Sequence, residues 1–280
     1  MEKQVVVITG ANSGFGLLAA LEFAKEGYEV IATMRDINKQ SLLMENAREK
    51  GVAEYITVLA VDITSIKDIL KLQEYIKKKD RIDVLLNNAG FAGAGFAEEI
   101  PIEEYKDQFE TNFFGTISVT QSVLPTMRRQ GFGKIILMSS ISGKVGFPGL
   151  SPYVSSKFAL EGWSESLRLE LQPFSIYVSL VEPGSYRTNI WSTGKKISER
   201  SQLETSPYYI YMEKLEKHLE KSGEDYGDPI DVAKQIVRIS KEKKPKLRYV
   251  IGRGVKQTIL LKQLLPWKWW ERLIFFMLKK

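Results

Sequence analysis

Apolar and polar positions follow two rhythms along this chain. Short continuous runs of aliphatic and β-branched residues stand at Val5–Thr9, Val30–Met34, Tyr55–Val61, Ile82–Asn87, Lys134–Ser139, Tyr177–Val181 and Arg248–Gly252. Runs of this length predict strands buried on both faces, as in a parallel sheet. Helix-like stretches lie between them, at Leu17–Glu26 and around Lys39–Lys50, Ile66–Lys78, Glu103–Arg129, Pro152–Gln172 and Pro229–Lys241. Seven strands alternating with helices predict an α/β fold, a seven-stranded parallel sheet with helices on both faces. Right-handed crossovers make such a sheet doubly wound, and its ligands sit beyond the carboxyl ends of the strands. Gly10, Arg35, Asp62, Asn88, Ser140 and Pro183 each fall at or just past one of those ends.

The first of these ends carries a glycine-rich turn. Val5–Thr9 runs into Gly10-Ala-Asn-Ser-Gly14-Phe-Gly16 and then into a helix pattern. Strand, glycine turn and helix together can cradle the pyrophosphate of a dinucleotide. Gly10 would allow the tight turn, Gly14 a close approach of backbone to phosphate, and Gly16 a close crossing of helix and strand. The spacing is G-x-x-x-G-x-G, which differs from the general G-x-G-x-x-G fingerprint.

A second candidate is Tyr153-Val-Ser-Ser-Lys157, with Ser140 upstream. A phenol is a poor acid or base at neutral pH, its ordinary pKa being about 10. An ammonium one helical turn away favours the phenolate and lets tyrosine exchange a proton with an alcohol or ketone.

Taken in order, Thr9-Gly-Ala-Asn-Ser-Gly-Phe-Gly16, Asp62-Ile63-Thr64, Asn87-Asn-Ala-Gly90, Asn112, Ser139-Ser140, Tyr153-x-x-x-Lys157 and Pro183-Gly184 resemble the motifs of the short-chain dehydrogenase/reductases, over roughly residues 3 to 252. Phe15, where isoleucine is usual, and the Asp225–Arg253 stretch look like the retinol and hydroxysteroid dehydrogenase branch. The resemblance implies a Rossmann-type single domain over residues 1–254 and hydride transfer between a nicotinamide and a carbonyl or carbinol carbon. It implies Tyr153 as proton donor and acceptor, Ser140 as hydrogen-bond partner of the substrate oxygen, and Lys157 as modulator of the tyrosine and ligand of the nicotinamide ribose. Asn112 would hold a relay water. Gly10, Asn12, Ser13, Gly14, Phe15 and Gly16 would surround the cofactor phosphates, and Asp62 and Ile63 the adenine. Asn88, Ala89 and Gly90 would line the adenine-ribose side. Pro183, Gly184 and Thr188 would meet the nicotinamide end.

Cofactor choice turns on the end of the second strand, where NAD enzymes place a carboxylate. Met34 stands there, followed by Arg35, whose guanidinium can clamp a 2′-phosphate. NADP(H) is therefore expected over NAD(H), with Asp36 as a competitor for Arg35.

Composition narrows the alternatives. With no cysteine and one histidine, a Cys/His zinc site cannot be built. A Ser-His-Asp hydrolase would have to use His218, which lies in a Lys/Glu-rich stretch. Basic residues are scattered among 34 acidic ones, which does not suit a nucleic-acid module. The first strand starts near residue 3, so no signal peptide is expected and the cytoplasm is the expected location. Dimers or tetramers through the Glu103–Arg129 and Pro152–Gln172 helices are implied by the resemblance. A non-catalytic dinucleotide sensor on the same fold is the competing function.

The substrate region is expected at residues 185–226, closing over the cleft with Tyr186 and Trp191, opposite Phe91, Phe96, Phe147 and Leu150. Those rings suit a lipophilic ketone, aldehyde or alcohol if they line a pocket, and carry no such meaning if they pack on the sheet. Val255–Lys280 is a C-terminal helical extension rich in Trp, Phe and Lys. Two readings stand for it: short helices packed on the sheet edge, pocket mouth or a neighbour, or an interfacial helix on an anionic membrane.

Overall fold

The computed structural model describes residues 3–188, 190, 194–222 and 226–279, with side chains left undescribed at 218–222 and 277–279. Trp191 and the side chain of His218 lie outside the described residues. Seven strands form one parallel sheet: β1 (Val5–Thr9), β2 (Glu29–Met34), β3 (Ile56–Ala60), β4 (Val84–Asn87), β6 (Gly133–Met138), β7 (Ile176–Pro183) and β9 (Arg248–Ile251), in the order β3-β2-β1-β4-β6-β7-β9. Their bounds match the apolar runs to within a residue or two.

Period two along β1 builds both layers of the core. Val6 and Ile8 face a cluster with Ala20 and Phe23 of α1 (Gly14–Lys25) and Ile236 of α8 (Pro229–Lys241). Val5 and Val7 face the other layer, with Leu72 of α3 (Ile66–Lys77), Val123 of α5 (Thr116–Gln130) and Leu167 of α6 (Ser151–Leu171). A strand that is buried at all five positions has no polar face to present, so it reads as continuous apolar sequence. Local caps agree with the pattern. Ser65 accepts from Asp68 N at the start of α3, and Asp228 accepts from Ile230 N at the start of α8, where Pro229 occupies the first turn.

Two features depart from the sequence reading. The Glu103–Arg129 stretch is not one regular helix: α4 (Ile102–Phe109) passes through a π turn at Glu110–Gly115 before α5 begins. The turn presses Gly115 against Ile63, where a β-carbon would lie 2.9 Å from that side chain. A two-stranded parallel ribbon also joins β5 (Ala92–Ala94) to β8 (Lys195–Ile197). Ala-Gly-Ala and Lys-Lys-Ile carry no apolar alternation, which is why no strand is expected there. The ribbon ties the loop after β4 to the segment leading into α7 (Tyr209–Ser222).

α2 (Ser41–Glu49) packs beside α1, and two further helices, α9 (Val255–Leu264) and α10 (Trp267–Lys279), complete the chain, α9 following β9 and α10 touching α7.

Candidate active site

The order of the sheet reverses between β1 and β4, and a cleft of about 800 Å³ opens beyond the strand ends there. Its base is held together by hydrogen bonds. Thr9 Oγ1 accepts from the backbone N–H groups of Asn88 and Ala89 at 2.9 and 3.0 Å. Asn88 Nδ2 donates to the carbonyl oxygens of Thr9 and Gly10, both at 3.0 Å. Asn88 is thus a structural clamp between β1 and β4, a use of its side chain that the motif alone does not suggest.

The glycine turn is tight enough to demand glycine. Gly10 has φ +66°, and a β-carbon there would meet Ala89 Cα at 2.8 Å. At Gly16 it would lie 2.4 Å from both Gly10 O and Asn88 Nδ2. Ser13 precedes α1 in extended conformation without a side-chain capping bond, and the first turn of α1 holds no acidic residue. The N–H groups of that turn are therefore left to an anion, at the positive end of the helix dipole. A dinucleotide pyrophosphate fits this seat.

Gly10, Asn12, Ser13, Gly14, Phe15, Arg35, Asp62, Ile63, Asn88, Ala89, Gly90, Phe91, Ser140, Tyr153, Lys157, Pro183, Gly184, Tyr186 and Thr188 all border this one cleft. Gly16 lies behind it, packed against Asn88. Thr188 stands over the glycine turn, its Cβ 3.7 Å from where a Gly14 β-carbon would be. Asp62 holds Thr64 through Oδ1, accepting from N at 3.0 Å and Oγ1 at 2.8 Å. Asp36 does not compete for Arg35: its carboxylate caps the following turn, accepting from Asn38 N at 3.0 Å. Lys39, which the sequence reading passed over, borders the cleft together with Met34 and Arg35. It stands four residues after Arg35 across a short 3₁₀ turn (37–40), a spacing that could have flagged it.

At the other end, Tyr153 and Lys157 project from α6 toward the end of β6. Tyr153 is buried and hydrogen-bonds Ser140, whose Oγ also accepts from Ser142 N at 3.1 Å. Lys157 Nζ donates to Met138 O at 2.7 Å and sits 5.6 Å from the centroid of the Tyr153 ring. Burial moves both groups toward their neutral forms. It pushes the Tyr153 phenol up to about 12, against the lowering effect of Ser140. It pulls the Lys157 amine down to about 8, against the raising effect of Glu161. The expectation that the lysine lowers the phenol is corrected here, because desolvation prevails and the amine is turned to a carbonyl. The pair as it stands is a protonated phenol beside an amine that loses its proton readily.

Asn112 falls in the π turn, buried and outside the cleft lining. Its Oδ1 accepts from Phe91 N at 3.1 Å, and its Nδ2 donates to Phe91 O at 3.0 Å and Ser156 Oγ at 3.3 Å. It brackets the wall residue Phe91 through the backbone. π turns recur at functional sites because they displace one residue from the helical ladder.

The expected substrate wall is only partly assembled. Phe91 and Tyr186 border the cleft, Phe91 beneath Lys196 Nζ at 4.6 Å from its centroid. Phe96 does not line it: its ring stacks on Tyr208 at 4.3 Å and on Tyr211 at 5.4 Å between centroids. Phe147 and Leu150 are half-buried outside the cleft lining.

Comparison with known proteins agrees with this geometry. A family model described as short chain dehydrogenase matches residues 4–197. The chain is 47% identical over 275 residues to the uncharacterized oxidoreductase YusZ of Bacillus subtilis (98% of each chain). It is 37% identical over 253 residues to 3-ketodihydrosphingosine reductase of Bacteroides thetaiotaomicron (90% of this chain, 89% of that one). It is 34% identical over 275 residues to retinol dehydrogenase 8 of Bos taurus (94% and 86%). Among solved structures, a short-chain dehydrogenase from Streptomyces avermitilis superposes with TM-score 0.82 at 31% identity, covering 94% of this chain and 93% of that one. ElxO with NADP bound gives 0.73 at 27% identity (91% and 100%). A short-chain dehydrogenase/reductase from Burkholderia phymatum in complex with NAD gives 0.79 at 22% (94% and 93%), and shares the fold. With a fold, a nucleotide cleft and relatives that all agree, the chain belongs to the short-chain dehydrogenase/reductase family of oxidoreductases.

Proposed function

We propose that this protein is an NADP(H)-dependent oxidoreductase acting on the carbonyl or hydroxyl group of a lipophilic substrate, with Tyr153 as general acid and base. The observation that carries the reading is the convergence, in one cleft, of the glycine turn with a buried Tyr153 that is hydrogen-bonded to Ser140 and lies beside Lys157. A nicotinamide bound there supplies or accepts the hydride. In the reducing direction Tyr153, a phenol held protonated by burial, donates its proton to the carbonyl oxygen as that oxygen gains charge. Ser140 donates to the same oxygen and fixes the pose. Lys157, with its amine drawn down to about 8, replaces the proton on the phenol. Asn112 is a positioning residue, acting through Phe91 and Ser156.

NADP(H) is favoured over NAD(H) because Arg35 and Lys39 border the cleft where Met34 offers no carboxylate to a ribose hydroxyl. The relatives named for a ketosphingoid base and for retinol support a lipophilic substrate. Residues 185–226 would act as the lid. Exposed Phe114 of the π turn, with Phe158 and Leu169 of α6, supports assembly of copies through this side of the molecule. A non-catalytic sensor would have no use for a buried tyrosine–lysine pair beside a serine.

The test is NADPH oxidation, followed by loss of fluorescence, over a panel of apolar ketones, aldehydes and quinones. Turnover of at least one is expected, with NADPH bound more tightly than NADH. Tight NADPH binding with no turnover across the panel would favour the sensor, and equal or tighter NADH binding would remove the cofactor assignment.

A further inference from the structure

The positive charge of this chain is not spread evenly. Residues 255–280 contain six Lys and Arg against one Glu, which is +5 of the chain's formal +6. The rest of the molecule is close to neutral. The same segment contributes seven of the nineteen exposed large apolar side chains among the described residues, although it is less than a tenth of the chain. Isolated exposed apolar residues need no explanation, but a concentration of them with net charge does.

The helices sort these side chains by face. Trp270 of α10 is buried, with Leu273 and Ile274 half-buried on the same side. Turned outward are Trp269, Phe275 and Phe276, each more than half exposed, with Lys268 and Arg272 set among them. Arg272 lies over the Trp269 ring at 5.4 Å, and Lys262 of α9 over Trp267 at 5.3 Å. Glu271, the single acid, accepts from Trp267 Nε1 at 2.6 Å. Aromatic rings and cations are interleaved on one surface, rather than divided into an apolar and a charged side. Leu260, Leu261 and Leu264 extend the exposed apolar surface along α9. No helix among the described residues is long and apolar enough to cross a bilayer, so the surface would lie on a membrane without passing through it.

We propose that the outward face of α9 and α10 docks on the surface of an anionic phospholipid bilayer. Trp and Phe rings enter at headgroup depth, where an amphipathic ring is best placed, and Lys and Arg meet lipid phosphates. Charge complementarity selects this occupant over a second copy of the chain, since two such faces carrying the same sign would repel. The tail begins beside the cleft: Val255 is buried against Gly184, where a β-carbon would lie 2.5 Å from Val255 Cγ2. Docking would therefore bring the nicotinamide end of the cleft near the lipid. It does not depend on the chemistry proposed for the cleft.

The experiment is flotation of the full-length protein with vesicles of phosphatidylglycerol and phosphatidylcholine, compared with phosphatidylcholine alone. Co-flotation with the anionic vesicles is expected, falling as salt is raised. Lys268→Glu with Arg272→Glu should weaken partitioning by about thirtyfold or more, each cation contributing about fivefold. Trp269→Ala with Phe276→Ala should weaken it at unchanged net charge. Both pairs are exposed, and an unchanged melting temperature verifies the fold. Absence of co-flotation, or equal binding to neutral vesicles, overturns the proposal. So does a dimer in size-exclusion chromatography that these substitutions dissociate in the absence of flotation, which would assign the face to a second copy.

Discussion

The two ends of the cleft are built by different means. At the β1–β4 crossing, backbone atoms do the shaping: a glycine with positive φ, a glycine with no room for a β-carbon, and an amide and a hydroxyl that bond only main chain. At the substrate end, side chains do it: Tyr186, edge-on to Phe15 at 5.7 Å between centroids, and Phe91 beneath Lys196. Geometry made by the main chain constrains residue type at each position. Geometry made by side chains admits many solutions, and one ring can line a pocket or fill a core with equal ease.

The sharpest way to test this division is to remove one oxygen from the reacting centre. Tyr153→Phe should lower turnover by at least about a thousandfold, as expected on losing a positioned acid–base group. NADPH affinity should change little, since the backbone end is untouched. Stopped-flow rates and a separate dissociation constant check both halves, and a loss confined to binding would contradict them. Next in size, Asn88→Ala removes two hydrogen bonds at the crossing and should cost about 2–3 kcal/mol, read as a drop in melting temperature together with weaker NADPH binding. A smaller and more selective effect is expected at the outer rim. Arg35→Ala should weaken NADPH binding by about tenfold or more, the scale of one charge-assisted contact, and leave NADH binding nearly unchanged. Calorimetry with both nucleotides would show whether the discrimination moves.

The smallest effect concerns the buried charges behind the site. Glu182, just before Pro183, is held up to about 7, chiefly by burial and then by Glu161, against the lowering pull of Lys144 and Arg248. Its Oε1 lies 3.2 Å from Arg248 Nε. A carboxyl whose folded pKa exceeds its unfolded value stabilises the fold below the unfolded pKa, and this stability is lost as pH rises through about 7. Glu182→Gln, which cannot ionise, should therefore gain in melting temperature relative to the parent between pH 5 and pH 8. A difference independent of pH would show that the carboxyl does not titrate in that window.

How far the sequence could be read follows from the same division. The seven strands were legible because a strand buried on both faces leaves an unbroken apolar run, as Val5–Thr9 does. The glycine turn and the Tyr153–Lys157 spacing were legible because main-chain geometry and helical periodicity fix residue types. The β5–β8 ribbon was hidden by its three-residue strands, and the π turn by the absence of any local signal for one extra residue in a helix. Lys39 was missed because it reaches the cleft across a short turn from Arg35. The packing of Phe96 on Tyr208 is not legible, because nothing in its neighbourhood says which way a phenylalanine turns. The direction of the tyrosine shift is not legible, because spacing reveals proximity of a cation and says nothing of desolvation.

The seam between Thr9, Gly10, Asn88 and Ala89 uses atoms of the protein alone. The seat proposed for the cofactor phosphates is thus shaped by the fold itself. An arriving dinucleotide would find no ordering left to complete at that spot, so its capture should be governed by diffusion and charge, and its departure by how firmly the rim beyond the seam holds it.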